Sequence, residues 1–202
     1  MREEDVLKAS AAPTLDRRAV VARLLEGRAD ELVVAGLGSP AWDLAAAGDH
    51  HLNFYLWGAM GSAVMIGLGL ALARPERRVI VITGDGEMLM GIGALACAAV
   101  LRPENLAVIV LDNEVYGETG GQASHTAMGA DLAGMAAGAG IPETFACVDE
   151  GGLGEVVERV RWAFGPVFVC VKVAFEEAPL VLPSADGAFL KDRLRAALEI
   201  PA

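Results

Sequence analysis

The stretch RVIVITGDGEMLMGIGALACAAVLRPENLAVIVLDNEVYG, residues 78–117, decides the fold. Its two apolar, β-branched runs, residues 78–83 and 106–111, read as buried strands. Residues 88–101 between them read as one buried helix. Strand, helix and strand in that order make two parallel strands joined by a crossover. Twenty-six residues lie between Gly86 and Asn113, enough for one helix and the next strand. Gly84-Asp85-Gly86 and Asp112-Asn113-Glu114 therefore arrive at the same edge of the sheet, on neighbouring strands.

Outward from this unit the same alternation continues. Residues 15–26 read as a helix with Thr14 as N-cap. Residues 31–35 are a strand, ended by Gly36, Gly38 and Pro40, and a short helix follows at 42–47. Residues 52–57 are extended, and 61–73 form a nearly all-apolar helix that stops before Pro75. Beyond Met128 the pattern predicts a helix at 131–139, a short strand at 145–148 and an amphipathic helix at 153–164. A strand at 167–173 closes the sheet, and a C-terminal helix follows at about 186–199, where Phe189, Leu190, Leu194 and Leu198 share a face. Continuous apolar strands alternating with helices predict a three-layer α/β sandwich: a mainly parallel sheet covered by helices on both faces. With no repeat or linker, residues 1–202 read as a single domain.

Composition excludes several functions. A net charge of −11 without basic clusters argues against nucleic acid. The longest apolar run, 14 residues at 88–101, is too short to span a bilayer. The start, MREEDVLKAS, lacks the apolar core of a signal peptide, which points to the cytoplasm. Cys97, Cys147 and Cys170 have no metal-binding spacing and read as reduced core thiols.

The two strand tips carry the chemistry. Asp85 offers a carboxylate and Asn113 an amide carbonyl, both hard oxygen ligands suited to magnesium or calcium. Gly84 and Gly86 let the backbone approach a ligand closely, and free N–H groups at the helix start beside Asp85 suit an anion. Metal plus N–H groups is what an acidic protein needs to hold a diphosphate. Ligands of parallel sheets sit at this carboxyl edge.

GDGEMLMGIG…PENLAVIVLDNEVYGETGGQ resembles the signature of the thiamine diphosphate (TPP)-dependent enzymes, and NFYLWGAMGSAVMIGLGLALARPERRVIVITGDG extends the likeness. It is similar to the diphosphate-binding module of the sulfopyruvate and phosphonopyruvate decarboxylases, over roughly residues 30–175. The resemblance implies metal ligation by Asp85, Asn113 and the backbone carbonyl of Val115. It places Gly86 and Glu87 beside the diphosphate, with Gly38, Ser39 and Tyr116 also around the cofactor. The loop Gly58-Ala59-Met60-Gly61 matches the one beside the cofactor's rings. There the Gly58 carbonyl accepts from the aminopyrimidine, and Met60 wedges between the rings to hold the cofactor bent.

Two departures qualify the likeness. Glu87 stands where a small or hydroxylic residue is usual, and must point away from the diphosphate. The loop Gly38-Ser39-Pro40-Ala41-Trp42 lacks the hydroxyl-plus-arginine character expected of phosphonopyruvate enzymes. The family's second module, which supplies a glutamate to the pyrimidine, has no room here. Glu31, Glu114 and Glu118 do not replace it. The resemblance therefore implies a separate pyrimidine-binding partner subunit, together with self-association. The apolar runs at 52–57 and 60–72 are candidates for the contact. The expected activity is decarboxylation of a small 2-oxo acid. A carboligase subunit, a 2-oxo acid oxidoreductase subunit and a non-catalytic TPP-binding module stand as alternatives. His50 and His51 read as a solvated loop. His125, in the loop beyond the metal site, is a weaker candidate as a proton donor, and Thr119 and Gln122 lie in the same loop.

Overall fold

A computed structural model describes residues 13–176 and 178–199. The N-terminal segment MREEDVLKAS lies outside them, as do the outermost ends of the expected 1–202 domain. Along the chain run α1 (Arg17–Leu24), β1 (Leu32–Ala35), α2 (Ser39–Ala46), β2 (Asn53–Tyr55), α3 (Ala63–Ala73) and β3 (Val79–Gly84). Next come α4 (Asp85–Met90), α5 (Ala94–Leu101), β4 (Leu106–Asp112) and the short hairpin of β5 (Val115–Tyr116) and β6 (Gln122–Ala123). The chain continues with α6 (Leu132–Ala139), β7 (Glu143–Cys147), α7 (Glu150–Trp162), β8 (Val167–Lys172) and α8 (Gly187–Ala197).

Six strands form one sheet in the order β2-β1-β3-β4-β8-β7, and every pairing in it is parallel. Because side chains alternate along a strand, each strand feeds two cores. Val79 and Val81 meet Leu68, Leu95 and Leu106 on the face covered by α3 to α6. Ile80 and Ile82 meet Val21, Leu44 and Val156 on the face covered by α1, α2 and α7. Helix α8 shields the β2 edge, contributing Leu190 to one core and Leu194 and Leu198 to the other. It is pinned there by Arg193, whose Nη1 lies 2.7 Å from Asp49 Oδ2 and whose Nη2 donates to the Asn53 carbonyl. Such a cover removes an exposed edge that a second chain could pair with.

The three-layer α/β sandwich expected from the sequence is the fold observed. Four local expectations need correcting. The single helix at 88–101 is two helices, broken between Met90 and Ala94. At the break, Gly91 abuts the backbone of Gly61 so closely that a Cβ at Gly91 would overlap the Gly61 carbonyl. The N-cap of α1 is Asp16, whose carboxylate accepts from the Ala19 amide at 2.8 Å, not Thr14. β8 does not close the sheet: its five buried residues, Val167–Val171, need neighbours on both sides, and the half-exposed β7 takes the edge. Cys97 lies on the exposed side of α5 rather than in the core. Among the described residues no helix is long and apolar enough to cross a membrane.

Phe168 is the largest of the fully buried side chains. Phe168→Ala should cost about 3–5 kcal/mol in urea unfolding. Phe164→Ala, at a position 82% exposed, should stay within about 0.5 kcal/mol.

Candidate functional site

The chain leaves β1 through α2 on one face of the sheet and β3 through α4 on the other. Connections that diverge from adjacent strands leave a crevice at their carboxyl ends. A cavity of about 420 Å³ opens there. Leu37, Ser39 and Pro40 line it after β1, Gly84 to Glu87 after β3, and Leu111 and Asn113 at the end of β4. Met60, Met90 and the hairpin segment from Val115 to Thr119 complete the lining.

Asp85 is only 2% exposed. Its Oδ2 accepts from the hydroxyls of Ser124 and Thr126, the latter at 3.2 Å. No side chain donates to its Oδ1 among the described residues. Burial lifts the Asp85 carboxyl above its ordinary range; the Ser124 hydroxyl opposes the rise and the nearby Asp112 charge adds to it. Thr126 also donates to Asp112 at 2.7 Å, and the Lys172 ammonium bridges Asp112 at 2.8 Å and Glu114 at 2.7 Å. One cation behind the cavity thus offsets two carboxylates and leaves Asp85 without a counter-ion.

Asn113 Oδ1 accepts from the Val115 amide at 3.0 Å, a local turn that fixes the side chain. An amide oxygen has a second lone pair to offer a cation. Among the described residues no three of His, Cys, Asp and Glu cluster as metal ligands. A single carboxylate, Asp85, beside an amide oxygen fits magnesium, which binds through one or two carboxylates and completes its shell with water and ligand phosphates. Gly86 has no side chain for a steric reason: a Cβ there would lie 2.6 Å from the Tyr116 ring. Tyr116 in turn shares a 2.9 Å hydrogen bond with His125 Nδ1.

Glu87 turns away from the cavity mouth and inward. It is 4% exposed, and its Oε2 accepts from Thr83 Oγ1 at 2.8 Å. The carboxyl fills the space a side chain on Gly36 would take, so only glycine fits at 36. Oε1 has no hydrogen-bonding partner among the described residues. Burial raises the Glu87 carboxyl above its ordinary range. The Thr83 hydroxyl and the nearby amides of Gly61, Ala63 and Leu37 oppose that rise.

Of the residues singled out in the sequence, the fold brings Ser39, Met60, Asp85, Gly86, Glu87, Asn113, Val115 and Tyr116 to one cavity. Gly58 and Ala59 are exposed on the loop that carries Met60, outside the cavity lining. Gly38 stands behind, with a φ of 77° and Glu118 3.0 Å from where its Cβ would be. His125 reaches the cavity only through Tyr116, and Gln122 does not line it. His50 and His51 stack on each other in the turn before β2, at the opposite end of the sheet. The sequence reading missed the lining residues Leu37, Met90, Leu111 and Gly117 and, the one basic side chain in the lining among the described residues, Arg17. Its only signal was an arginine pair at the start of a helix.

A parallel α/β module with carboxylate, amide and glycine at adjoining strand tips defines a class: a ligand-binding domain open at its carboxyl edge. The chain belongs to the family described as thiamine pyrophosphate enzyme, C-terminal TPP binding domain, which matches residues 38–173. It is 42% identical over 111 residues to sulfopyruvate decarboxylase subunit beta of Methanocaldococcus jannaschii, covering 55% of this chain and 58% of that one. It is 39% identical over 163 residues to phosphonopyruvate decarboxylase of Streptomyces viridochromogenes, covering 80% of this chain and 40% of the relative. The chain thus spans only part of the relatives it matches. In fold it is similar to the Rhodococcus jostii thiamine diphosphate-dependent 4-hydroxybenzoylformate decarboxylase. The TM-score is 0.68 at 24% identity, over 84% of this chain and 34% of that one.

A raised Glu87 carboxyl means that the folded state holds this proton more tightly than the unfolded chain. Stability should therefore fall as pH rises from near 4.5 through the folded value. Glu87→Gln, always neutral, should melt above the parent at pH 7 to 8, with the gap closing toward pH 4.5. A thermal-melt series across pH checks this.

Proposed function

We propose that this chain is the TPP- and magnesium-binding subunit of a 2-oxo acid decarboxylase of the sulfopyruvate and phosphonopyruvate type. The carrying observation is that Asp85 and Asn113, from neighbouring strand tips, line one cavity with Gly86 in a member of this family. Asp85 and Asn113, with the Val115 carbonyl, would hold the cation, and Gly86 with Ser39 would face the diphosphate. Met60, 42% exposed on the cavity wall, would support the rings. When bound, TPP supplies the carbon nucleophile and the electron sink for loss of carbon dioxide from a 2-oxo acid. The chain's own part is to bind and orient. Asp85 lacks a counter-ion until a cation arrives. The contact of Gly61 with Gly91 holds the Met60 loop in place.

A separate pyrimidine-binding subunit belongs to this proposal, and with it an active site shared between chains in a hetero-oligomer. Relatives named subunit beta support it. So does the surface. α3 is apolar around its whole circumference, yet Met65 is 45% and Leu72 48% exposed. On α5, Val100 is 81% and Leu101 53% exposed. A helix apolar on all sides is normally buried, so these faces await a partner chain or a second copy. Shorter matches, over 33% of the chain, to 2-oxo acid oxidoreductase subunits keep that chemistry as the second reading.

Calorimetry with magnesium and TPP tests the proposal. The parent should bind, and Asp85→Ala should abolish binding while remaining folded by circular dichroism. Decarboxylation of sulfopyruvate or phosphonopyruvate should appear only when the chain is mixed with its pyrimidine-binding subunit. Unchanged TPP affinity in Asp85→Ala contradicts the assignment.

A further inference from the structure

Arg17 is the only basic side chain among the described residues lining the cavity, against the carboxylates of Asp85, Glu87 and Glu118. It is 8% exposed and is held by Asp43, which is fully buried. Arg18 also reaches Asp43, its Nε 3.2 Å from Oδ1, and donates from Nη2 to the Pro179 carbonyl. Two guanidiniums share one carboxylate, so the cluster keeps one surplus positive charge. Arg17 spends Nε on Asp43, with a second, longer bond from Nη2, and Nη1 makes no hydrogen bond among the described residues.

The topology shows how the start of α1 is brought to the carboxyl edge of the sheet. Leu15, two residues before Arg17, bridges to Val173 just beyond β8, and its carbonyl accepts from Ala174 at 2.8 Å. β8 is the neighbour of β4, the strand that carries Asn113, whereas Met60 follows β2 at the far edge of the sheet. The backbone before α1 is thus anchored beside β8, while the Arg17 side chain reaches Asp43 on α2, the helix after β1, and lines the cavity with Asp85 and Asn113.

We infer that Arg17, oriented by Asp43, is a direct cationic contact for the diphosphate of the bound cofactor, supplementing the metal. The inference rests on the TPP reading above. It explains how an acidic chain whose cavity is lined by Asp85 and Glu118 accepts a polyanion, and why Asp43 is neutralised twice.

The test is calorimetric titration of the full chain with TPP and magnesium at several salt concentrations, on the parent, Arg17→Met, Arg17→Lys and Asp43→Asn. Methionine keeps the packing of the aliphatic stem. Arg17→Met should weaken TPP about tenfold, as loss of one charge-assisted hydrogen bond does, and should flatten the salt dependence. Arg17→Lys should recover part of the loss. Asp43→Asn, which leaves Arg17 charged and an amide oxygen to orient it, should weaken binding far less than Arg17→Met and keep the parental salt dependence. A purely structural ion pair predicts that Arg17→Met and Asp43→Asn weaken binding alike, with parental salt dependence, and that result overturns the inference. Unchanged affinity in Arg17→Met also overturns it. Failure of the parent itself to bind TPP overturns the cofactor reading instead, and is seen without any variant.

Discussion

Hydrogen bonding between β3 and β4 in parallel register, from Val79 beside Leu106 to Gly84 beside Leu111, is the constraint on which the site depends. Parallel pairing brings both strands out at one edge, so Asp85 and Asn113 follow neighbouring tips although twenty-six residues separate Gly86 from Asn113. The register is held because both faces of both strands are buried: a slip by one residue would exchange the two cores. Small residues then let the loops close in. Gly61 and Gly91 touch backbone to backbone, Gly86 lies under Tyr116, and Gly36 makes room for the Glu87 carboxyl. Each of these contacts fixes a loop that no regular hydrogen-bond ladder would fix.

Electrostatics sets the second limit. The chain carries a net charge of −11, and its cavity is lined by three carboxylates. Glu87 is withdrawn beneath Thr83, and Lys172 neutralises the acids behind the site. Among the described residues Asp85 is buried without a cationic partner, a costly arrangement unless a ligand completes it. Strong desolvation of an acid in a cleft is a common mark of a functional site. On the reading proposed here a divalent cation would complete Asp85, and Arg17 would add a second positive charge.

The strands were legible in the sequence because continuous apolar, β-branched runs have few other uses, and the strand tips followed from them. The positions of Asp85 and Asn113 at neighbouring tips follow from the same runs. What failed to show was tertiary in origin. Nothing local marks the break in residues 88–101, since Gly91 matters only because Gly61 crosses it. β8 reads as a closing strand in chain order, and only the pairing of β7 outside it reveals an inner position. Arg17 lies about seventy residues from Asp85 in sequence. Its role depends on α1 starting beside the carboxyl end of β8, a placement no periodicity encodes. The inward turn of Glu87 was anticipated from charge alone, but the hollow left by Gly36 was not.

The most direct test is anomalous diffraction from crystals of the chain soaked with manganese, standing in for magnesium, and TPP. One peak should lie between the two strand tips, bonded to the Asp85 carboxylate, the Asn113 amide oxygen and the Val115 carbonyl, at roughly 2.0–2.2 Å as octahedral sites require. A peak elsewhere, or a cofactor seated without contact to Asp85 and Asn113, would contradict the assignment.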